Sequence, residues 1–137
     1  MVSFSTILSS AALAALMATA LPCAAQQPSI FLADPTIFAD KGQYYLYGTS
    51  SSKGFLVYTS KDLQTWQAPA DTSRRLALQR GDAFGNGGFW APQVFKHRGN
   101  FYMAYTADEQ IAIAKASHPA GPFKQNTPIA LSGSGKQ

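Results

Sequence analysis

Two short segments carry the residues best suited to chemistry. In LADPTIF an acid, Asp34, stands directly before Pro35, and in GGFWAPQV an indole, Trp90, stands directly before Ala91 and Pro92. A carboxylate held at the mouth of a pocket can take a proton from water as a general base. An indole offers a flat apolar face with one donor, which suits stacking on a sugar ring as well as filling a core. The Asp-Pro pair also starts turns, so Asp34 carries two readings, pocket acid or turn residue. The only glutamate, Glu109 in TADEQIA, reads as a turn residue.

The elements that must position these residues are strands. After Gln26, Val, Ile, Phe, Tyr and Thr gather in short runs separated by Gly, Asp, Asn and Ser, which is strand and turn chemistry. PTIFADKGQYYLYGT predicts two antiparallel strands joined through Asp40, Lys41 and Gly42, with Asp40 in solvent. A third strand follows over Phe55 to Thr59, and SKDLQTW places a turn at Ser60 to Asp62 before Trp66.

Sliding the sequence by 57 residues lays APQVFKHRGNFYMAYT on this unit. Pro35 falls on Pro92, Phe38 on Phe95, Gly42 on Gly99, Tyr45 on Tyr102, Thr49 on Thr106, Ser60 on Ser117 and Trp66 on Phe123. A repeated unit of three or four short antiparallel strands is how a propeller blade reads in sequence. The period exceeds the roughly 40 to 50 residues usual for a blade, and the surplus is assigned to a loop from Ala68 to Gly88. Loops of that length commonly line binding sites. At the entrance of the second unit Ala91 stands where the first has Asp34, so the repeat itself asks for no acid there. Gly85 to Gly88 form a flexible approach to Trp90.

The first 25 residues read as a signal peptide: from Ile7 to Leu21 only Ser, Thr, Ala, Leu, Ile and Met occur, and small residues follow. Residues 26–137 are then the mature, secreted or periplasmic part. Cys23 is the sole cysteine and raises a lipid anchor as an alternative, with Pro22 before it arguing against one. A mature chain beginning at Gln26 has no cysteine for disulfides or metal sites. Eleven Lys and Arg against seven acids give a net charge of +4, but the longest basic run is Arg74-Arg75, and no nucleic-acid partner follows from it.

The LADPTIF start, the YYLYGT strand, VYTSKDLQTW, GGFWAPQVF and NFYMAYTA, in that order, resemble glycoside hydrolase family 43 over about Ala33 to Phe123. The early Asp-Pro and the Trp-Ala-Pro are the most specific pieces. The resemblance implies an all-β, five-bladed β-propeller of which roughly the first two blades are present. It also implies cleavage of arabinose- or xylose-containing plant polysaccharide or oligosaccharide, with inversion at the anomeric carbon. Asp34 matches the general base, and Trp90 with Ala91 matches the wall of the sugar subsite. Gln93 departs from the Glu of many relatives at a position with no assigned chemistry. The family's general acid and pKa-tuning Asp belong to later blades, so the fragment alone is expected to be inactive. A calcium ion is common near the centre of relatives, but this segment offers no ligand set for a metal or other cofactor. A non-catalytic carbohydrate-binding propeller is the alternative.

Overall fold

The computed structural model describes residues 29–68 and 76–131. The expected signal peptide, Cys23 and part of the long loop lie outside the described residues. Seven strands follow one another among them: β1 Ala33–Asp40, β2 Gln43–Thr49, β3 Gly54–Ser60, β4 Leu76–Gln79, β5 Trp90–His97, β6 Asn100–Ala107 and β7 Gln110–Ala116. They form two antiparallel sheets, one in the order β1-β2-β3-β4 and the other β5-β6-β7. Three hairpins turn on residue pairs with positive φ: Lys41-Gly42, Arg98-Gly99 and Asp108-Glu109. Such pairs make the two-residue turns whose twist matches that of the flanking strands.

Alternation along the strands gives both faces of each sheet apolar residues, and the two sheets cover one face of each other. Tyr45, Tyr47, Phe55 and Val57 from the first sheet and Phe101, Met103 and Tyr105 from the second share one buried core. Its centre is aromatic. Phe55 meets Phe89 edge-on at 5.8 Å and Tyr105 at 5.7 Å between ring centroids. Phe38 meets Phe101 edge-on at 5.9 Å across the same interface.

The repeat explains which faces stay bare. Phe38 packs on the second sheet, and its equivalent there, Phe95, is 39% exposed and stacks only on Tyr102 of its own sheet. In the opposite sense Val94 is buried between the sheets, while its equivalent Ile37 is 52% exposed. Each sheet thus has one covered face and one open apolar face.

Three expectations are corrected. The segment assigned to a loop from Ala68 to Gly88 contains β4, where Ala77 and Leu78 are buried and pair the strand with β3. Four residues between polar flanks are too short for a periodic signal. The repeat also slips in its third strand: Tyr44 pairs with Ser60 but Phe101 pairs with Ala116, so Ser60 corresponds to Ala116 rather than Ser117. The cause is the tight Asp108-Glu109 turn, shorter than its counterpart after Thr49. Trp66 still falls on Phe123, because the bridges Thr59 to Gln67 and Lys115 to Lys124 restore the offset beside them. Finally, Asp40 is not in solvent: its carboxylate pairs with Lys96 Nζ at 2.7 Å and its side chain is only 17% exposed. The facing strand β5 supplies that cation, which no local pattern announces.

The turn at Ser60 to Asp62 is built as expected. Ser60 Oγ accepts the Leu63 N–H at 2.9 Å and donates to Asp62 Oδ1 at 3.0 Å, and Asp62 Oδ1 accepts the Gln64 and Thr65 N–H groups at 2.9 and 2.7 Å. The Thr65 and Gln64 amides, with the Ser60 hydroxyl, hold the Asp62 carboxyl at about 2. A folded value below the unfolded 3.8 stabilises the protein above that pH, and the contribution is lost as pH falls through about 2. Asp62→Asn is therefore expected to lower the thermal midpoint at neutral pH, with the difference from the parent shrinking between about pH 4 and pH 2. Calorimetry of the two proteins across that range checks it, and a constant difference would assign the effect to something other than the charge.

Candidate functional site

Asp34 and Trp90 open the first strand of each sheet. Both strands begin with the same irregularity: the ladder slips between Ala33 and Thr36 in the first sheet and between Trp90 and Gln93 in the second. The residue inside each slip is left-handed, Asp34 with φ 47 and its equivalent Ala91 with φ 47. A bulge of this kind bends its strand and re-aims a side chain. Aspartate enters the left-handed region more readily than most residues, and the following Pro35 fits, since it needs no ladder N–H.

The two entrances are joined by a residue that the repeat had presented as an ordinary strand position. Thr49, paired with Ala33 at the end of β2, donates its hydroxyl to Asp34 Oδ2 at 3.3 Å and accepts the Ala91 N–H at 3.1 Å. Thr36 Oγ donates to Gln93 Oε1 at 3.2 Å further along the same pair of strands, so Gln93 helps join the sheets. At the far end Lys96 pairs with Asp40 and lies 5.0 Å over the Phe101 ring. A cleft of about 480 Å³ opens at that end, lined among others by Asp40, Tyr45, Lys96, Phe101 and His118. Asp34 is exposed, and Trp90 is 51% exposed, so the indole is not a core residue.

The glycine-rich approach to Trp90 is anchored rather than flexible. The Asp108 carboxylate accepts the Asn86 and Gly87 N–H groups at 2.9 and 3.0 Å, and the Asp108 N–H donates to Gly87 O at 3.0 Å. Upstream, Phe84 O accepts the Tyr105 hydroxyl at 2.7 Å, and the Phe84 N–H donates to Gln125 Oε1 at 2.8 Å. Burial pushes the Tyr105 phenol up to about 12, keeping it a donor at any ordinary pH. Gly85 is required for close approach: with φ +106, a Cβ there would stand 2.3 Å from Ala107 Cβ. Phe89, the buried residue that follows this loop, packs on Phe55 and Tyr105 and ties the segment to the aromatic core.

Glu109 occupies the β6–β7 turn with φ 58, as its sequence context suggested. Among the described residues no group of three His, Cys, Asp or Glu side chains gathers closely enough to hold a metal ion.

Two antiparallel sheets, with an exposed acid and an exposed indole at adjoining entrances, make this an all-β protein. The sequence model of Glycosyl hydrolases family 43 matches residues 28–137, and the chain belongs to that family. An extracellular exo-alpha-(1->5)-L-arabinofuranosidase of Cellvibrio japonicus is 29% identical over 119 residues, 79% of this chain and 33% of the relative. The crystal structure of an endo-1,4-beta-xylanase from Bacteroides thetaiotaomicron superposes with a TM-score of 0.66 at 34% identity, covering 74% of this chain and 35% of that one. An endo-arabinase from the same organism superposes with a TM-score of 0.62 at 31% identity, covering 78% and 38%. The chain thus spans about a third of the length of these relatives.

The clasp on Asn86 and Gly87 gives a direct expectation. Asp108→Ala removes both carboxylate bonds, and the Asn86 and Gly87 amides should exchange with deuterium about tenfold faster or more, as local opening becomes easier. Exchange rates at Tyr47 and Met103 in the core serve as the reference. Unchanged rates at 86 and 87 would mean that the loop holds its shape without Asp108.

Proposed function

We propose that these residues are the amino-terminal part of a secreted or periplasmic enzyme that hydrolyses arabinose- or xylose-containing plant polysaccharide or oligosaccharide. Asp34 is its general base and Trp90 with Ala91 is the wall of the cleaved sugar's subsite. The observation that carries this reading is the link from the Asp34 carboxylate through Thr49 to Ala91, beside the exposed Trp90. Residues 1–25 are the leader. An extracellular relative supports secretion, and no helix of the described residues is long and apolar enough to cross a membrane.

The architecture proposed is a five-bladed propeller. Its support is the pair of blade-like sheets, each with one open apolar face of the kind a neighbouring blade would cover. In that arrangement β1 and β5 lie innermost and bring Asp34 to a shared mouth.

Inversion requires an ionised carboxylate that activates water and a protonated carboxyl that serves the leaving oxygen, about 6.5 to 9.5 Å apart. Asp34 supplies the first. Water held by the carboxylate gives up a proton as its oxygen attacks the anomeric carbon on one side. The second carboxyl protonates the departing oxygen on the other. That acid and its pKa-tuning partner are assigned to later blades. Residues 26–137 alone are accordingly expected to show no turnover of aryl arabinofuranosides or xylosides above background, since general acid catalysis is worth roughly 100- to 10,000-fold.

In the intact enzyme Asp34→Asn keeps the shape but removes the basicity, and turnover of an activated aryl glycoside should fall at least about a hundredfold, with binding changed far less. His97→Asn, exposed at the far end of β5, is the control and should stay within about threefold. Circular dichroism confirms that both variants are folded. Near-native turnover by a folded Asp34→Asn enzyme would return Asp34 to a turn role. Binding of the oligosaccharide by the intact protein with no turnover at all would instead favour a carbohydrate-binding propeller.

A further inference from the structure

Building on Asp34 as the base, we propose that Thr49 is a positioning residue that orients the base and couples it to the sugar wall. Its β-branched side chain alone needs no special account, because threonine suits a strand and Thr106 holds the equivalent station beside Trp90. Its hydroxyl does need one. A threonine hydroxyl has one proton and two lone pairs. At Thr49 one lone pair takes the Ala91 N–H, a donor that cannot be reversed, which leaves the single proton for Asp34 Oδ2. The direction of the chain is therefore set: Ala91 N–H to Thr49, Thr49 O–H to Asp34.

Two consequences follow for the reaction. The bond to Oδ2 limits rotation of the carboxylate, and the other oxygen, Oδ1, is left to receive the attacking water's proton. The same hydroxyl holds the Ala91 amide, the residue next to Trp90, so the position of the base and that of the ring it acts beside are not independent. The carboxylate belongs to the first sheet and Ala91 to the second, and Thr49 is the side chain that bridges them at this end. At 3.3 Å the bond to Asp34 is long for a hydroxyl donor, so the expected contribution is smaller than that of the base itself.

The test uses the intact enzyme and a double-mutant cycle with Asp34→Asn. Thr49→Val keeps the shape and strand preference but deletes both hydrogen bonds, and kcat should fall about tenfold with KM within about twofold. Thr49→Ser restores the hydroxyl and should recover turnover to within about threefold of the parent. In the Asp34→Asn background the cost of Thr49→Val should shrink to about twofold or less, because the group it serves is gone. If Thr49→Val does not fold by circular dichroism, Thr49→Ala carries the same cycle. Full additivity of the two changes, or a Thr49→Val enzyme with parental kcat, overturns the role of Thr49 while Asp34 stands as the base. Parental turnover by Asp34→Asn itself overturns both.

Discussion

A β-sheet with apolar side chains on both faces has to be covered twice, and in this chain no described helix shares the work. The first cover comes from the second sheet. Phe55, Phe89 and Tyr105 meet at its centre, and two of the three also belong to the approach to Trp90. Phe89 is the residue before the indole, and the Tyr105 hydroxyl holds the Phe84 carbonyl. Displacing these rings therefore disturbs not only the core but the placement of Trp90. Core packing and loop anchoring share the same side chains here, which explains how a glycine-rich loop is held in place by strands alone.

The hairpins and the repeat were legible because their signals are local. Lys41-Gly42 and Arg98-Gly99 sit between alternating strands, and the positions common to the two units include the hairpin glycine and the strand residues Pro, Phe, Tyr and Thr at fixed offsets. Where the outcome depended on partners far along the chain, the sequence was silent. Asp40 looks like any hairpin acid until Lys96 is brought opposite it. Leu76 to Gln79 hold too few residues to announce a strand, and only burial against β3 makes them one. The slip of one residue in the third strand went unseen because a two-residue turn at Asp108-Glu109 carries no glycine to mark it.

The site divides in the same way. Asp34 was visible because it departs from the repeat, and Trp90 because a glycine-rich stretch leads into it. Thr49 was hidden for the opposite reason: it obeys the repeat, so its hydroxyl seemed to have only a strand role. Asp108 was overshadowed by Glu109 beside it, although the carboxylate that organises the loop is the aspartate's. Tertiary hydrogen bonds decide which of two neighbouring acids does structural work, and no spacing rule contains them.

Asp34 and Ala91 share a left-handed φ of 47 at equivalent bulges. The two units thus hold the same bend at the same station, whatever side chain it carries. The backbone conformation that presents a carboxylate was therefore available at more than one entrance, and acquiring or discarding an acid there requires a change of side chain rather than a new loop. Seen this way, the bend is a shared scaffold and the side chain it carries is what differs between the two entrances.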